Sequence, residues 1–324
     1  TTLNLSVLQA KALGSVTLGA TNEVKIKDDA SAVEGLSDAQ LTSLARAGLD
    51  GIDVGANTLS LTAAQANALT LTETVAATNA GDPPTYNVLQ KIVINTGADV
   101  TLADSSANIA RLSAREIGYL AAVGVDQIDI TGDQTVTISV DQFKQLHGVK
   151  FTDHSRVTLA DTAGQLKTLS AEDIATLKDL GVDYVNPTNA TFDLTVEQAA
   201  KWPSGVTFTG AHLVQIVGAG TDISTELSGD QLAILSTAGV DWIDSSDNAL
   251  TLSVDQATKL GSIKIAAADK VTLSDAAQTI HDLRPANIAV LGAKGVDVID
   301  ANDSPGTTLN LSVLQAKALG SVTL

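Results

Sequence analysis

A motif that returns about every 57 residues constrains this chain more than any other feature, because a fixed internal period builds a fold by stacking one unit on the next. Gly-Val/Leu-Asp-x-Ile/Val-Asp/Asn begins at Gly48, Gly124, Gly181, Gly239 and Gly295, at spacings of 76, 57, 58 and 56. A second column, Ser/Thr-x-x-Gln, falls at Ser6/Gln9, Thr62/Gln65, Ser139/Gln142, Thr195/Gln198, Ser253/Gln256 and Ser312/Gln315. Both columns place one enlargement of about 20 residues between Leu69 and Lys91. The predicted units are therefore about 1–57, 58–134, 135–190, 191–249 and 250–307, with the start of a sixth at 308–324 and an insertion at 70–89.

Within a unit the apolar period alternates between two values. From Gly239, Val240, Trp242 and Asp244 alternate with Asp241 and Ile243, and Leu250 and Leu252 alternate around Thr251, as strands do. Ser245-Ser-Asp-Asn between them is turn chemistry. Val254, Ala257 and Leu260 then follow helical spacing, and Gly261 supplies the stop. A second strand pair (Ile263, Ile265, Val271, Leu273) and a second helix (Ile288, Leu291) complete the unit. The expected fold is an α/β parallel solenoid of strand-turn-strand-helix coils, two per unit, with leucine-rich-repeat-like logic.

The Ser/Thr-x-x-Gln column invites a functional reading, since regularly placed glutamines can grip a sugar. Cap chemistry accounts for it more simply: the hydroxyl accepts from the N3 amide and the glutamine reaches back to the cap amide. Ser37/Gln40, Ser113/Glu116, Ser170/Asp173 and Ser228/Gln231 repeat the device on the second helix, where Arg284-Pro285 replaces it in the fifth unit.

Composition narrows the chemistry. Aromatic residues are only 3% of the 324, so the core must be thin layers of Leu, Ile, Val and Ala. The net charge of −18 leaves no basic surplus for phosphates, which argues against nucleic acid and anionic membrane. Cysteine is absent, which excludes disulfides, zinc thiolates and thiol nucleophiles. Methionine is absent too, even at position 1, so the chain reads as a processed or excised piece, and no apolar run approaches the roughly 18 residues of a membrane span.

Carboxylates are the remaining candidates for chemistry. Asp50, Asp126, Asp183, Asp241 and Asp297 form one column, Asp53, Asp129, Asp244 and Asp300 a second, and Asp28, Asp104, Asp161 and Asp275 a third. A catalytic pair is unique and differently tuned, whereas these recur, so their expected work is to accept backbone amides at turns. Calcium is the one cofactor held open, with Asp126, Asp129, Asp241, Asp244, Asp297 and Asp300 as its candidates. No glycine-rich calcium nonapeptide, EF-hand loop or nucleotide fingerprint occurs, and His147, His154, His212 and His281 lack zinc spacing.

Three features stand outside the repeat. The insertion carries Pro83, Pro84 and Tyr86, a candidate contact segment. The variable column of the glycine motif holds Gly51, Gln127, Tyr184, Trp242 and Val298; if it faces water on one sheet, Tyr184 and Trp242 form an aromatic strip for a saccharide or neighbouring chain. Finally, residues 1–18 recur without change at 307–324, whereas the internal copy at 248–265 matches only 9 of 18. Such identity predicts either a higher-order period of 306 residues or a deliberate duplication that makes the ends compatible, and with both, ends that join head to tail.

Val157-Thr-Leu-Ala-Asp-Thr-Ala, Leu169-Ser-Ala-Glu-Asp-Ile-Ala-Thr-Leu and Gly239-Val-Asp-Trp-Ile-Asp-Ser-Ser-Asp-Asn-Ala-Leu-Thr-Leu-Ser-Val resemble the repeats of very large, acidic, cysteine-poor secreted proteins of alphaproteobacteria. The resemblance covers the chain apart from the insertion. It implies export, commonly by a type I system, to the bacterial cell surface or matrix, as an adhesin, surface-layer or filament component. The expected function is thus an extracellular structural or adhesive element without catalysis, partnered by copies of itself end to end and by glycan or another cell surface. The rivals are a glycan-binding module and a polysaccharide-acting enzyme on a solenoid; a lyase needs basic residues gathered in one coil, and Arg46, Arg111, Arg115, Arg156 and Arg284 are scattered.

Overall fold

Short alternating segments rich in Val, Ile, Leu and Thr become strands, and their apolar side chains fall into columns from one strand to the next. The computed structural model describes residues 2–14, 16–19, 21–76, 85–132, 134–303 and 308–324, the side chains of 72–76 and 85–89 excepted. It is a mixed α/β structure with several parallel sheets. The chain divides into two bodies, Thr1–Leu159 with Asp179–Val182, and Ala160–Lys178 with Asp183–Leu324.

In the first body, Thr2–Leu5, Glu23–Lys27, Gly51–Asp53 and Val93–Ile94 form one parallel sheet in that order. Its register aligns Leu5, Ile26, Ile52 and Ile94 in a single column. Thr58–Leu61, Asp99–Ser105, Gln127–Thr131 and Lys150–Phe151 form a second sheet, with Leu61, Leu102, Ile128 and Phe151 in column. In the second body, Phe192–Thr195, Val214–Gly218, Trp242–Ser245 and Lys264–Ile265 align Leu194, Ile216, Ile243 and Ile265. Ala249–Leu252, Lys270–Asp275 and Val296–Ala301 align Leu252, Leu273 and Ile299. Nearly all of these side chains are buried, each contributing about 1.5–3 kcal/mol of transfer free energy. The second body adds one aromatic cluster, in which Phe208 stacks on Trp202 at 4.3 Å and meets Phe192 edge-on at 6.1 Å.

The helices begin where the cap chemistry puts them. Ser6, Ser37, Thr62, Ser113, Ser139, Ser170, Thr195, Ser253 and Ser312 each carry a complete reciprocal capping box. Pro285 occupies the first turn of Pro285–Ala293. Helix Ala114–Val123 ends at Gly124 in the left-handed conformation, φ 96°, where a Cβ would lie 3.1 Å from the Ile94 carbonyl oxygen. Two expectations need correction. Ser228 caps Gly229–Ala238, but its Gln231 turns elsewhere. The second helix of each repeat is also preceded by an extra short helix: Ala30–Glu34, Ser106–Ala110, Ala163–Leu166, Gly220–Glu226 or Ala277–His281.

The insertion forms an antiparallel pair, Thr70–Ala76 with Thr85–Lys91, in register from Thr70↔Lys91 to Ala76↔Thr85. Pro83 and Pro84 lie outside the described residues, and Tyr86 contributes a backbone position opposite Val75. At its base Ile92 N–H donates to the Leu69 carbonyl at 2.9 Å. The same bond at the same length joins Val149 to Leu146 and Ile263 to Leu260, where only two residues intervene. The insertion therefore takes the place of a two-residue turn.

Candidate functional site

The carboxylate columns close local turns, as where Asp53 Oδ1 accepts the Gly55 amide and Asp28, Asp104, Asp161 and Asp275 accept the amide of the next residue, and they also reach between neighbouring strands and helices. Asp50, Asp126, Asp241 and Asp297 accept through Oδ2 the backbone N–H of Val24, Val100, Val214 and Val271 at 2.7, 2.9, 2.9 and 2.8 Å. In the first three the Asp amide also donates to the carbonyl of the same Val, so two bonds staple the strands.

A second set serves helix starts, whose first amides have no intrahelical acceptor. Asp28, Asp104 and Asp275 accept from the first-turn N–H of Val7, Ala63 and Val254. Asn189, Asp247 and Asp303 do the same for Ala163, Gly220 and Ala277. The Val7 and Asp29 amides hold the Asp28 carboxyl below its ordinary range. The Ser245 hydroxyl, then the Gly220 amide, does the same for Asp247.

Of the calcium candidates, Asp126, Asp241 and Asp297 thus have one oxygen on a backbone amide, and Asp129 Oδ1 accepts from Thr152 Oγ1 at 2.6 Å. Asp244 is half-buried and Asp300 exposed on their strands. Among the described residues no cluster of three or more His, Cys, Asp or Glu side chains is arranged to hold a metal ion. One carboxylate escaped the sequence reading: Asp269 is buried, its Oδ2 accepts from Ser245 N–H at 3.0 Å, and its Oδ1 has no partner. Burial pushes this carboxyl up, and Asp244 and Asp247 push the same way against the Ser245 amide. Ser155, whose Oγ accepts from Ile130 N–H, does the corresponding work with a neutral group.

Tyr184 and Trp242 are both half-buried, with Val185 and Ile243 facing the core beside them. They do not share a sheet. Tyr184 pairs with Thr207, while Trp242 pairs with Gln215 and Lys264 in the other sheet. Lys264 Nζ lies 5.2 Å from the Trp242 ring centroid and covers one of its faces, so the expected aromatic strip is not formed.

The glutamine column does more than cap. Gln65, Gln142, Gln198, Gln256 and Gln315 are buried, and while Oε1 serves the cap, Nε2 donates to carbonyls about 30 residues earlier. Gln142, for example, bonds Leu112 O at 2.7 Å and Ala110 O at 3.2 Å. The signal was present in the sequence: this column is always Gln, whereas the half-buried column of the second helix varies through Gln40, Glu116 and Asp173, since a cap alone needs only an acceptor; Gln231, also in that column, is the exception and donates to Ala199 O and Trp202 O.

The identical terminal segments bury opposite sides. In the first copy, Thr2–Leu5 pairs with Glu23–Lys27, Asp28 takes the Val7 amide, and Val7 is 4% exposed. In the second, the equivalent Val313 is 72% exposed. There Gln315, itself 4% exposed, donates to His281 O at 2.6 Å and Leu283 O at 2.8 Å. Thr323 bridges Val298, donating to Asp297 O and accepting from Ile299 N–H, each at 2.8 Å. Gln9, the counterpart of Gln315, is exposed, and its Nε2 meets no carbonyl among the described residues.

No helix among the described residues is long and apolar enough to cross a membrane. Compared with models of known protein families and with curated proteins, the chain matches none.

Proposed function

We propose that this chain is an extracellular structural or adhesive repeat protein of a bacterial surface or matrix, a parallel solenoid that works by joining copies of itself into a rod or filament. One observation carries the reading: the same 18-residue sequence is matched on one side by residues 23–28 and on the other by residues 281–299. A segment with two matched sides is a joint, and heterologous joints propagate. The solenoid itself is supported by parallel columns and by hydrogen bonds that recur at spans of 26 and 27 residues, as in Asp50–Val24, Asp126–Val100, Asp297–Val271 and Asp241–Val214. Export to the surface and attachment to glycan or another cell rest on the sequence resemblance alone.

The test is electron microscopy with light scattering over a concentration series of purified protein. Rods or filaments that lengthen with concentration are expected. A monodisperse particle at every concentration refutes the reading.

A further inference from the structure

We infer that the outer face of the sheet Phe192–Thr195, Val214–Gly218, Trp242–Ser245 and Lys264–Ile265 binds a neutral oligosaccharide along the row Asp193, Gln215, Trp242 and Lys264. This deepens the adhesive side of the reading above and rests on that side, not on assembly.

The four residues pair in register across the sheet, all within one body. Each precedes a buried residue, Leu194, Ile216, Ile243 or Ile265, so alternation turns the row to the opposite face. Asp193, Gln215 and Trp242 are half-buried there, and Lys264 is exposed.

The fold does not ask for these side chains. At the register positions of Asp193 and Gln215, three other sheets carry hydroxyl pairs: Ser60 with Thr101, Thr137 with Thr158, and Thr251 with Thr272. The first sheet has Asn4 with Lys25, so the position accepts varied polar pairs and requires none in particular. Trp242 stands where other repeats place Gly51, Gln127 and Val298. An indole at a place that glycine also fills is not demanded by packing.

What the row offers is the chemistry of a sugar ring, which has an apolar C–H face and a rim of hydroxyls that both donate and accept. Gln215 Nε2 donates to Asp193 Oδ1 at 2.9 Å and Lys167 Nζ to Oδ2 at 2.6 Å, so the carboxylate is oriented while its oxygens keep lone pairs for hydroxyl donors. The Trp242 ring is the apolar platform. Lys264 Nζ lies 5.2 Å from its centroid. An exposed cation–π contact is weak, so the ammonium yields that face to a sugar and donates to hydroxyls at the rim. The row extends about 14 Å, at about 4.8 Å from strand to strand, which suits a short oligosaccharide laid across a flat face. Lys167 balances Asp193, and Asp244, two residues along from Trp242, balances Lys264. With a net charge of −18 on the whole chain, the face selects a neutral polymer over an acidic one.

Tryptophan fluorescence reads the site in the full chain, because Trp202, the other indole, is 2% exposed. The probes are cellohexaose, maltohexaose and mannohexaose, with hexagalacturonate as the acidic comparison. A saturable response to a neutral probe is expected, with a Kd of about 1 mM or tighter. No saturable response to any of the three overturns the proposal, as does a response to hexagalacturonate alone.

The repeat itself supplies substitutions that the fold accepts. Trp242→Gln copies Gln127, which pairs with Lys150 as Trp242 pairs with Lys264. Asp193→Thr with Gln215→Thr copies Thr251 and Thr272. Measured by calorimetry, affinity for the bound probe should fall about tenfold or more in each, with the melting temperature unchanged. Full affinity in either variant overturns the proposal. Light scattering on the same variants keeps the two readings apart. Assembly as in the parent chain is expected; loss of assembly in Trp242→Gln, without sugar binding in the parent, makes the row a contact between copies and overturns the proposal. A parent chain that binds sugar but never assembles refutes the filament reading and leaves this one standing.

Discussion

Replacing Gln142 by Ala should cost far more than replacing Gln40 by Ala, although both sit at the third position of a capping box. Gln40 is half-buried, and among the described residues its side chain accepts the Ser37 amide at 3.0 Å at an exposed helix start, where water replaces it on truncation. That change should cost about 0.5–1 kcal/mol. Gln142 is buried, accepts Ser139 N–H at 2.8 Å, and donates to Leu112 O and Ala110 O. Its loss removes three bonds worth about 1 kcal/mol each and strands the buried Leu112 carbonyl, so a total of about 3–4 kcal/mol is expected. Urea unfolding followed by far-ultraviolet circular dichroism measures both variants. Gln142→Glu sharpens the comparison, because it keeps the cap and loses both donations. If Gln142→Ala costs no more than Gln40→Ala, or Gln142→Glu is harmless, the glutamines do not tie neighbouring segments together.

Three further outcomes are expected. Gly124→Ala should destabilise by about 1–2 kcal/mol in the same unfolding assay, because a side chain is forced into a left-handed backbone against the Ile94 carbonyl. Asp269→Ser should stabilise by about 1 kcal/mol near pH 7, since an unpaired buried oxygen is removed. Because the folded Asp269 carboxyl titrates above its ordinary value, both states hold the proton in acid and the penalty grows only as pH rises past that value; thermal melts should therefore show the gain at neutral pH and none at about pH 3. Replacing residues 70–91 by Gly-Ser should leave the melting temperature nearly unchanged, as the Leu69–Ile92 bond already closes the turn, and a loss of several degrees would show that the hairpin braces the coil.

What the sequence revealed was local chemistry. Cap residues such as Ser139 and Gln142 declare a helix start wherever they occur, and alternation at Leu250–Leu252 declares a strand, because both depend on neighbours within a few positions. Helices such as Ala163–Leu166 were missed because four residues cannot display a 3.6-residue period, and Ala277–His281 follows Ala276, which makes no side-chain cap bond. The separation of Tyr184 from Trp242 was invisible for another reason. Sheets end at two-residue strands, Thr207–Phe208 and Lys264–Ile265, and no alternation can be read in two residues. The second task of each glutamine depends on carbonyls about 30 positions away, so only its refusal to vary betrayed it.

The bond between Leu69 and Ile92 makes the insertion point a docking port for foreign sequence. Both flanking residues are fully buried, and they meet as Leu146 meets Val149 across a two-residue turn. The flanking structure registers only where the chain leaves and returns. Any segment whose ends converge can be carried there, since loop-closure entropy grows only with the logarithm of length. Cargo such as an epitope, a binding peptide or a small folded domain could then be displayed at this position, its placement set by the buried Leu69 and Ile92 and not by the cargo.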